Sequence, residues 1–175
     1  MDPSEFIRLI YPRTVVVVTS TDKKGIANAA PYSWICPISF SPAMLMVGIQ
    51  DRETRTMGNI RETGEFVVNV VTRDWAKKAI ECEAKIKEGE SKLEKTGLET
   101  VQGKKVKVPA IKKAKIVLEC ALSEIMKPKD ADHLIVVGEI VHAETKNPKL
   151  EEIVMHLLGE KFCTPGREFV QGRKK

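Results

Sequence analysis

The sequence predicts a mainly β fold, a small antiparallel Greek-key-like barrel with two or three peripheral α-helices, and three observations predict it. Six or more short runs of β-branched or alternating apolar residues recur along the 175 residues, bounded by Pro, Gly, Asn or Asp. These runs do not alternate regularly with helices, which argues against a doubly wound parallel sheet. Short strands in a chain of this size would leave exposed edges, and closure into a barrel removes them. The length suits one domain with its own core, so residues 1–175 are read as a single domain.

Residues 2–11 are expected to form a short helix, with Pro3 or Ser4 near its start, Phe6, Ile7 and Ile10 on one face and Pro12 as its stop. Residues 14–20 form a β-branched run that reads as a buried strand entering a hairpin at the turn 22–25, with residues 26–30 as its return. Residues 43–49 are a continuous apolar strand. Residues 51–63 carry helix formers and end at Gly64, and residues 66–71 are the next strand. Residues 75–93 read as a helix followed by a mobile connection with few contacts. Residues 114–126 and 133–143 make a long hairpin about the turn 127–132. Apolar residues at 150, 153, 154, 157 and 158 predict a helix over 149–158, and the basic tail 167–175 is expected to fray.

Composition excludes several classes of function. With 42% apolar and 30% charged residues the chain is globular rather than disordered. The formal charge of +5 comes from dispersed lysines interleaved with glutamates, and aromatics are only 5%, so a nucleic-acid-binding barrel is disfavoured. No apolar run approaches the length that crosses a bilayer, and the first residues lack a secretory pattern, so no membrane partner and a cytoplasmic location are expected. Cys36, Cys82, Cys120 and Cys163 form no CxxC pair and read mostly as buried thiols, and no metal site is expected. His142 and His156 are given no role.

Two stretches carry potential chemistry. Residues 28–42 hold three prolines and three serines between strands. Small residues let a planar ligand approach the backbone, prolines stiffen the path, and hydroxyls with free N–H groups can hold ribityl or phosphate oxygens. A rigid barrel rim explains the same residues equally well. The second stretch, Arg52 to Thr56, lies where a strand gives way to a helix. Arg52, Thr54, Thr56 and the helix N-terminus would suit a phosphate, although the cluster taken alone reads more simply as N-capping with solvated arginines.

The order of several loose motifs resembles the flavin reductase-like family. They are Pro12-Arg-Thr-Val-Val-Val-Val-Thr with Gly25, the stretch 28–42, Asn59-Ile-Arg-Glu-Thr-Gly-Glu-Phe-Val-Val-Asn, Gly97-Leu98, 109–119, Asp132-His133 and Val137-Gly-Glu-Ile. The chain looks closest to the flavoredoxin-like members. That resemblance implies an FMN-binding split β-barrel and an FMN-dependent NAD(P)H oxidoreductase that passes electrons to free flavin, ferric complexes or a protein acceptor. A non-catalytic FMN-binding electron carrier is the alternative. It further implies that Ala30, Pro31, Tyr32 and Ser33 line the isoalloxazine and upper ribityl, with Trp34 supporting the loop. Cys36, Pro37, Ile38 and Ser39 would approach ribityl and phosphate, and Arg52, Thr54 and Thr56 would complete the phosphate site. His133 would contact flavin or nicotinamide, and no side chain is needed as a catalytic acid or base. A homodimer is expected, with flavin near the interface and the 116–143 hairpin packed across the two-fold axis.

Overall fold

The structure is a computed structural model that describes residues 6–86 and 90–166. The tail 167–175 and the first residues of the expected N-terminal helix lie outside the described residues. What is described of that helix is a single 3-10 turn, Ile7–Leu9.

The strands are β1 (Arg13–Thr14), β2 (Val16–Thr21), β3 (Ala27–Tyr32), β4 (Ile35–Phe40), β5 (Ala43–Gln50), β6 (Glu65–Val70), β7 (Thr100–Val101), β8 (Ala110–Ile111), β9 (Ile116–Met126), β10 (His133–Thr145), β11 (Met155–His156) and β12 (Phe162–Cys163). The α-helices among the described residues are α1 (Arg55–Thr63), α2 (Ala76–Glu81) and α3 (Lys92–Thr96). Seven strands form one antiparallel sheet in the order β3-β2-β6-β9-β10-β5-β4. The two edge strands are consecutive in the chain. β3 runs into β4 through Ser33 and Trp34, and the Gly48 N–H on β5 donates to the Trp34 carbonyl at 2.7 Å. The fold is therefore a split barrel, closed by one strand that changes partners rather than by a continuous ladder.

The valine run on β2 is continuous because both of its faces are covered. Val16 and Val18 point into the barrel with Leu45, Ile49, Phe66 and Val136, and α1 adds Met57 and Ile60. Val15 and Val17 meet an outer layer that contains Trp75, Ala79, Leu93, Val108 and Ile111. Buried Asn69 ties the two together, its Nδ2 donating to the Val17 carbonyl at 3.0 Å and its Oδ1 accepting from the Ile111 N–H at 2.8 Å. Helix α1 starts four residues later than the sequence implied, because Thr54 Oγ1 accepts from the Met57 N–H at 3.2 Å and so defines the cap. It ends where expected, at Gly64 with φ 71° and its N–H on the Ile60 carbonyl.

Three sequence expectations are corrected. Residues 149–158 are a 3-10 turn, Leu150–Glu152, followed by extended chain. Val154 donates to the Val71 carbonyl at 3.0 Å and accepts from Val15 at 2.9 Å, so ladder pairing overrides the helical spacing. The described part of residues 75–93 is not held by few contacts: Trp75, Ala79, Cys82 and Leu93 are buried in the outer layer. Of the four cysteines only Cys82 and Cys120 are buried, while Cys36 is exposed and Cys163 intermediate. Burial, with Glu119 adjacent, pushes the Cys120 thiol up to about 12, so it stays protonated. Among the described residues no helix is long and apolar enough to cross a membrane.

Candidate functional site

The Pro- and Ser-rich stretch is two strands rather than a loop, and its prolines explain where those strands lie. Proline has no N–H for a ladder, so it is confined to edges, bulges and strand ends. Pro31 pairs with Val17 on edge strand β3, and Pro37 pairs with Leu45 on edge strand β4, immediately before a register shift. The outer side of each strand is thereby left unpaired, with Ser33 and Trp34 at the crossing point. Ala30 is half-buried on β3, Cys36, Pro37 and Ile38 are exposed on β4, and Ser39 is half-buried.

Tyr32 turns toward the start of α1. Burial raises its phenol above the ordinary range, opposed by the neighbouring Thr56 hydroxyl and by the charge of Arg52, so the phenol stays neutral. Thr56 is buried and its Oγ1 accepts from Asn28 Nδ2 at 3.0 Å. Asn28 Oδ1 is buried without a partner. The Thr54 hydroxyl is occupied by the cap of α1. Arg52 is exposed, and among the described residues no carboxylate lies within 4.0 Å of it. The structure thus brings Tyr32, Thr56 and Arg52 together, and it leaves Arg52 as the member whose charge faces solvent.

Ser33 lies on another wall. Its Oγ is 3.2 Å from His156 Nδ1, and His156 Nε2 is 3.0 Å from the Gly159 carbonyl oxygen. The pair sits in a cavity of about 190 Å³, bordered also by Pro31, Tyr32, Ile80 and Phe162. Trp34 turns across β5, where an added Cβ at Gly48 would lie 3.0 Å from its Cβ, so glycine there makes room for the indole. The His133 ring stacks on Trp34 at 4.2 Å between centroids and 16° between planes, and its Nδ1 lies 2.7 Å from Asp132 Oδ1. The Arg13 guanidinium stands 4.7 Å above the Tyr11 ring and 5.7 Å from the Trp34 ring.

Sequence reasoning missed Arg13, Tyr11, His156 and Phe162. In the sequence Tyr11 reads as the end of the N-terminal helix and Arg13 only as part of a motif, neither as a member of the site. His156 was hidden because residues 149–158 read as a helix. Its register partner in the structure is Arg13, a pairing that no local spacing reveals.

Residues 7–164 match the flavin reductase like domain. An uncharacterised protein of Archaeoglobus fulgidus is 35% identical over 172 residues, covering 93% of this chain and 93% of its own. Among solved structures, the 2-nitrobenzoate 2-nitroreductase of Pseudomonas fluorescens superposes with a TM-score of 0.84 at 25% identity, over 99% of this chain and 93% of its own. The flavoredoxin of Methanosarcina acetivorans does so with a TM-score of 0.79 at 25% identity, over 93% and 89%.

Proposed function

We propose, from the premise that this chain belongs to the flavin reductase-like family, that it binds FMN and takes electrons from NAD(P)H for delivery to free flavin, a ferric complex or a protein acceptor. The observation that carries this reading is the crossing of β3 into β4. Within four residues, Pro31 to Trp34, the chain borders the apolar cavity with its Ser33–His156 pair, touches the Tyr32–Thr56–Arg52 cluster and presents the Trp34–His133 stack.

The donor set fits a phosphorylated planar cofactor. Apolar walls and a stiffened backbone suit the ring, hydroxyls suit the ribityl chain, and an exposed arginine beside a helix N-terminus suits a phosphate. When bound, the flavin supplies hydride acceptance and electron storage, which no side chain here provides. Ala30, Pro31, Tyr32 and Ser33 would wall the ring, and Trp34 would hold the crossing in place. Cys36 to Ser39 would border the ribityl side. Arg52 would bind the phosphate directly, Thr54 would act by holding the first amides of α1 in place, and Thr56 by fixing Tyr32. His133, kept in orientation by Asp132 and Trp34, would face the electron donor.

Replacing Arg52 by Ala is expected to weaken FMN binding by about 1.5 to 3 kcal/mol and to leave riboflavin binding unchanged. Fluorescence titration of both flavins measures this. Equal losses for the two, or none, would take Arg52 out of the phosphate site.

The working unit is a homodimer in this reading. Edge strand β4 exposes Ile38 and Phe40, the latter fully, and the 116–143 hairpin exposes Met126 and Val141. An unpaired edge with apolar side chains is what a second copy would cover. Light scattering at micromolar protein should return twice the chain mass. A monomer that keeps full FMN affinity would return the cofactor to a single-chain pocket.

Similarity to the Methanosarcina acetivorans flavoredoxin favours a second reading, an electron carrier that does not oxidise NAD(P)H itself. Anaerobic NADH and NADPH separate the two. Bleaching of the flavin by either supports the reductase, and flavin that stays oxidised with both supports the carrier.

A further inference from the structure

One stretch departs from the mixing of lysine with glutamate found elsewhere in the chain. Residues 103–115 carry six lysines and no Asp or Glu. Where this stretch packs beside the C-terminal end of β10, it encloses a cavity of about 250 Å³, at the opposite end of that strand from His133. Four buried residues give the cavity an apolar floor: Ala110 and Ile111 on β8, Ala114, and Val117 on β9. Lys104, Lys112, Lys115 and Lys146 stand around it. Three of these lysines have carboxylate partners, Lys104 with Glu144, Lys112 with Glu99 at 2.7 Å and Lys115 with Glu152. Lys146 does not. Its Nζ donates to the Lys112 carbonyl oxygen at 3.1 Å, and among the described residues no carboxylate lies within 4.0 Å of it. The two carboxylates in the lining are themselves engaged, Glu119 by the amides of Lys104, Lys105 and Val106, and Glu144 by Lys104 and His142.

We propose that this cavity is a binding site for a small organic anion, a carboxylate on a compact apolar body, with the body on the floor and the carboxylate on Lys146. Each half of the ligand answers a separate feature. An apolar body takes the floor out of water, and a carboxylate gives Lys146 the partner it lacks. Lys112, whose carbonyl oxygen already holds Lys146, stands in a solvent-exposed pair with Glu99. Such pairs contribute little, so its ammonium can be shared with the ligand at small cost. An inorganic anion gains nothing from the floor, and a neutral ring gains nothing from the lysines, so the site discriminates by requiring both. The site is independent of the flavin reading.

Three probes test this: benzoate, its neutral counterpart benzamide, and inorganic phosphate. Each is titrated at low salt into the full chain as purified, and binding is followed through the backbone amide NMR signals. Benzoate is expected to give saturable shifts at Ile111, Ala114 and Val117, and to bind about fivefold or more tightly than either benzamide or phosphate. Lys146→Gln should weaken benzoate about fivefold and leave benzamide unchanged. Lys146→Arg, which keeps the charge, should retain most of the benzoate affinity. Added salt should weaken benzoate more than benzamide.

Lys146 is exposed, so both variants are expected to keep the wild-type amide spectrum outside the cavity. The absence of a saturable benzoate shift at the floor residues would overturn the site. So would benzoate affinity that survives Lys146→Gln unchanged, since the anion would then be held elsewhere. Equal affinity for benzoate and benzamide would remove the lysine from the site, and equal affinity for benzoate and phosphate would remove the floor. Uptake of FMN by the same protein bears on none of these outcomes.

Discussion

Replacing Glu119 by Leu is expected to destabilise the protein by about 3 to 5 kcal/mol, because one buried carboxylate holds three backbone amides. Glu119 Oε1 accepts from the Lys104 N–H at 2.8 Å, and Oε2 accepts from Lys105 at 2.6 Å and Val106 at 3.1 Å. Glu119 is 2% exposed, so its removal leaves the three amides in a largely buried place. The turn it grips is tight: a Cβ on Gly103 would lie 2.6 Å from the Val106 carbonyl oxygen and 2.7 Å from that of Val108. Val106 and Val108 belong to the outer layer under which β2 is buried, so a released turn also uncovers apolar surface. Urea denaturation at neutral pH measures the change. A loss below about 1 kcal/mol would show that the turn repacks without its anchor.

Phe66→Ala should cost about 3 to 5 kcal/mol, the range for removing a buried aromatic ring. The ring is fully buried in the barrel, and it lies where Gly138 leaves space: a Cβ there would come within 2.4 Å of Phe66 Cζ and 3.0 Å of the Cys120 Cβ. Gly138 also follows the first register shift between β9 and β10. Gly138→Ala alone is therefore expected to cost about 1 to 3 kcal/mol through overpacking. In a Phe66→Leu background the same change should cost much less, since the shorter side chain vacates the contact. Thermal unfolding of the four proteins gives the coupling, and additive losses would mean that Gly138 and Phe66 are not the pair that sets this part of the core.

The strands were legible because their residues are local signals. Apolar or alternating runs bounded by turn residues gave β2, β5, β6 and the long β9–β10 hairpin, and Gly64 marked the end of α1 to the residue. The resemblance drawn from ordered motifs was right about the family and the split barrel. Residues 28–42 were read as chemistry when their prolines also reported sheet edges, which requires knowing which strands have one neighbour. Residues 149–158 were misread because five apolar positions at helical spacing also suit a chain clamped between Val15 and Val71. That error concealed His156, and with it the only described partner of the Ser33 side chain. Thr54 and Thr56 were correctly placed at a helix start, but spacing does not say which hydroxyls the fold itself consumes.

The measurement that bears most directly on the account is the visible absorption spectrum of the purified protein, followed by release and identification of its chromophore. A yellow protein that releases FMN, or a colourless one that takes up FMN and turns yellow on titration, is the predicted result. A protein that carries a different cofactor, or that neither holds nor takes up FMN, would contradict the central claim that the β3–β4 crossing is an FMN site.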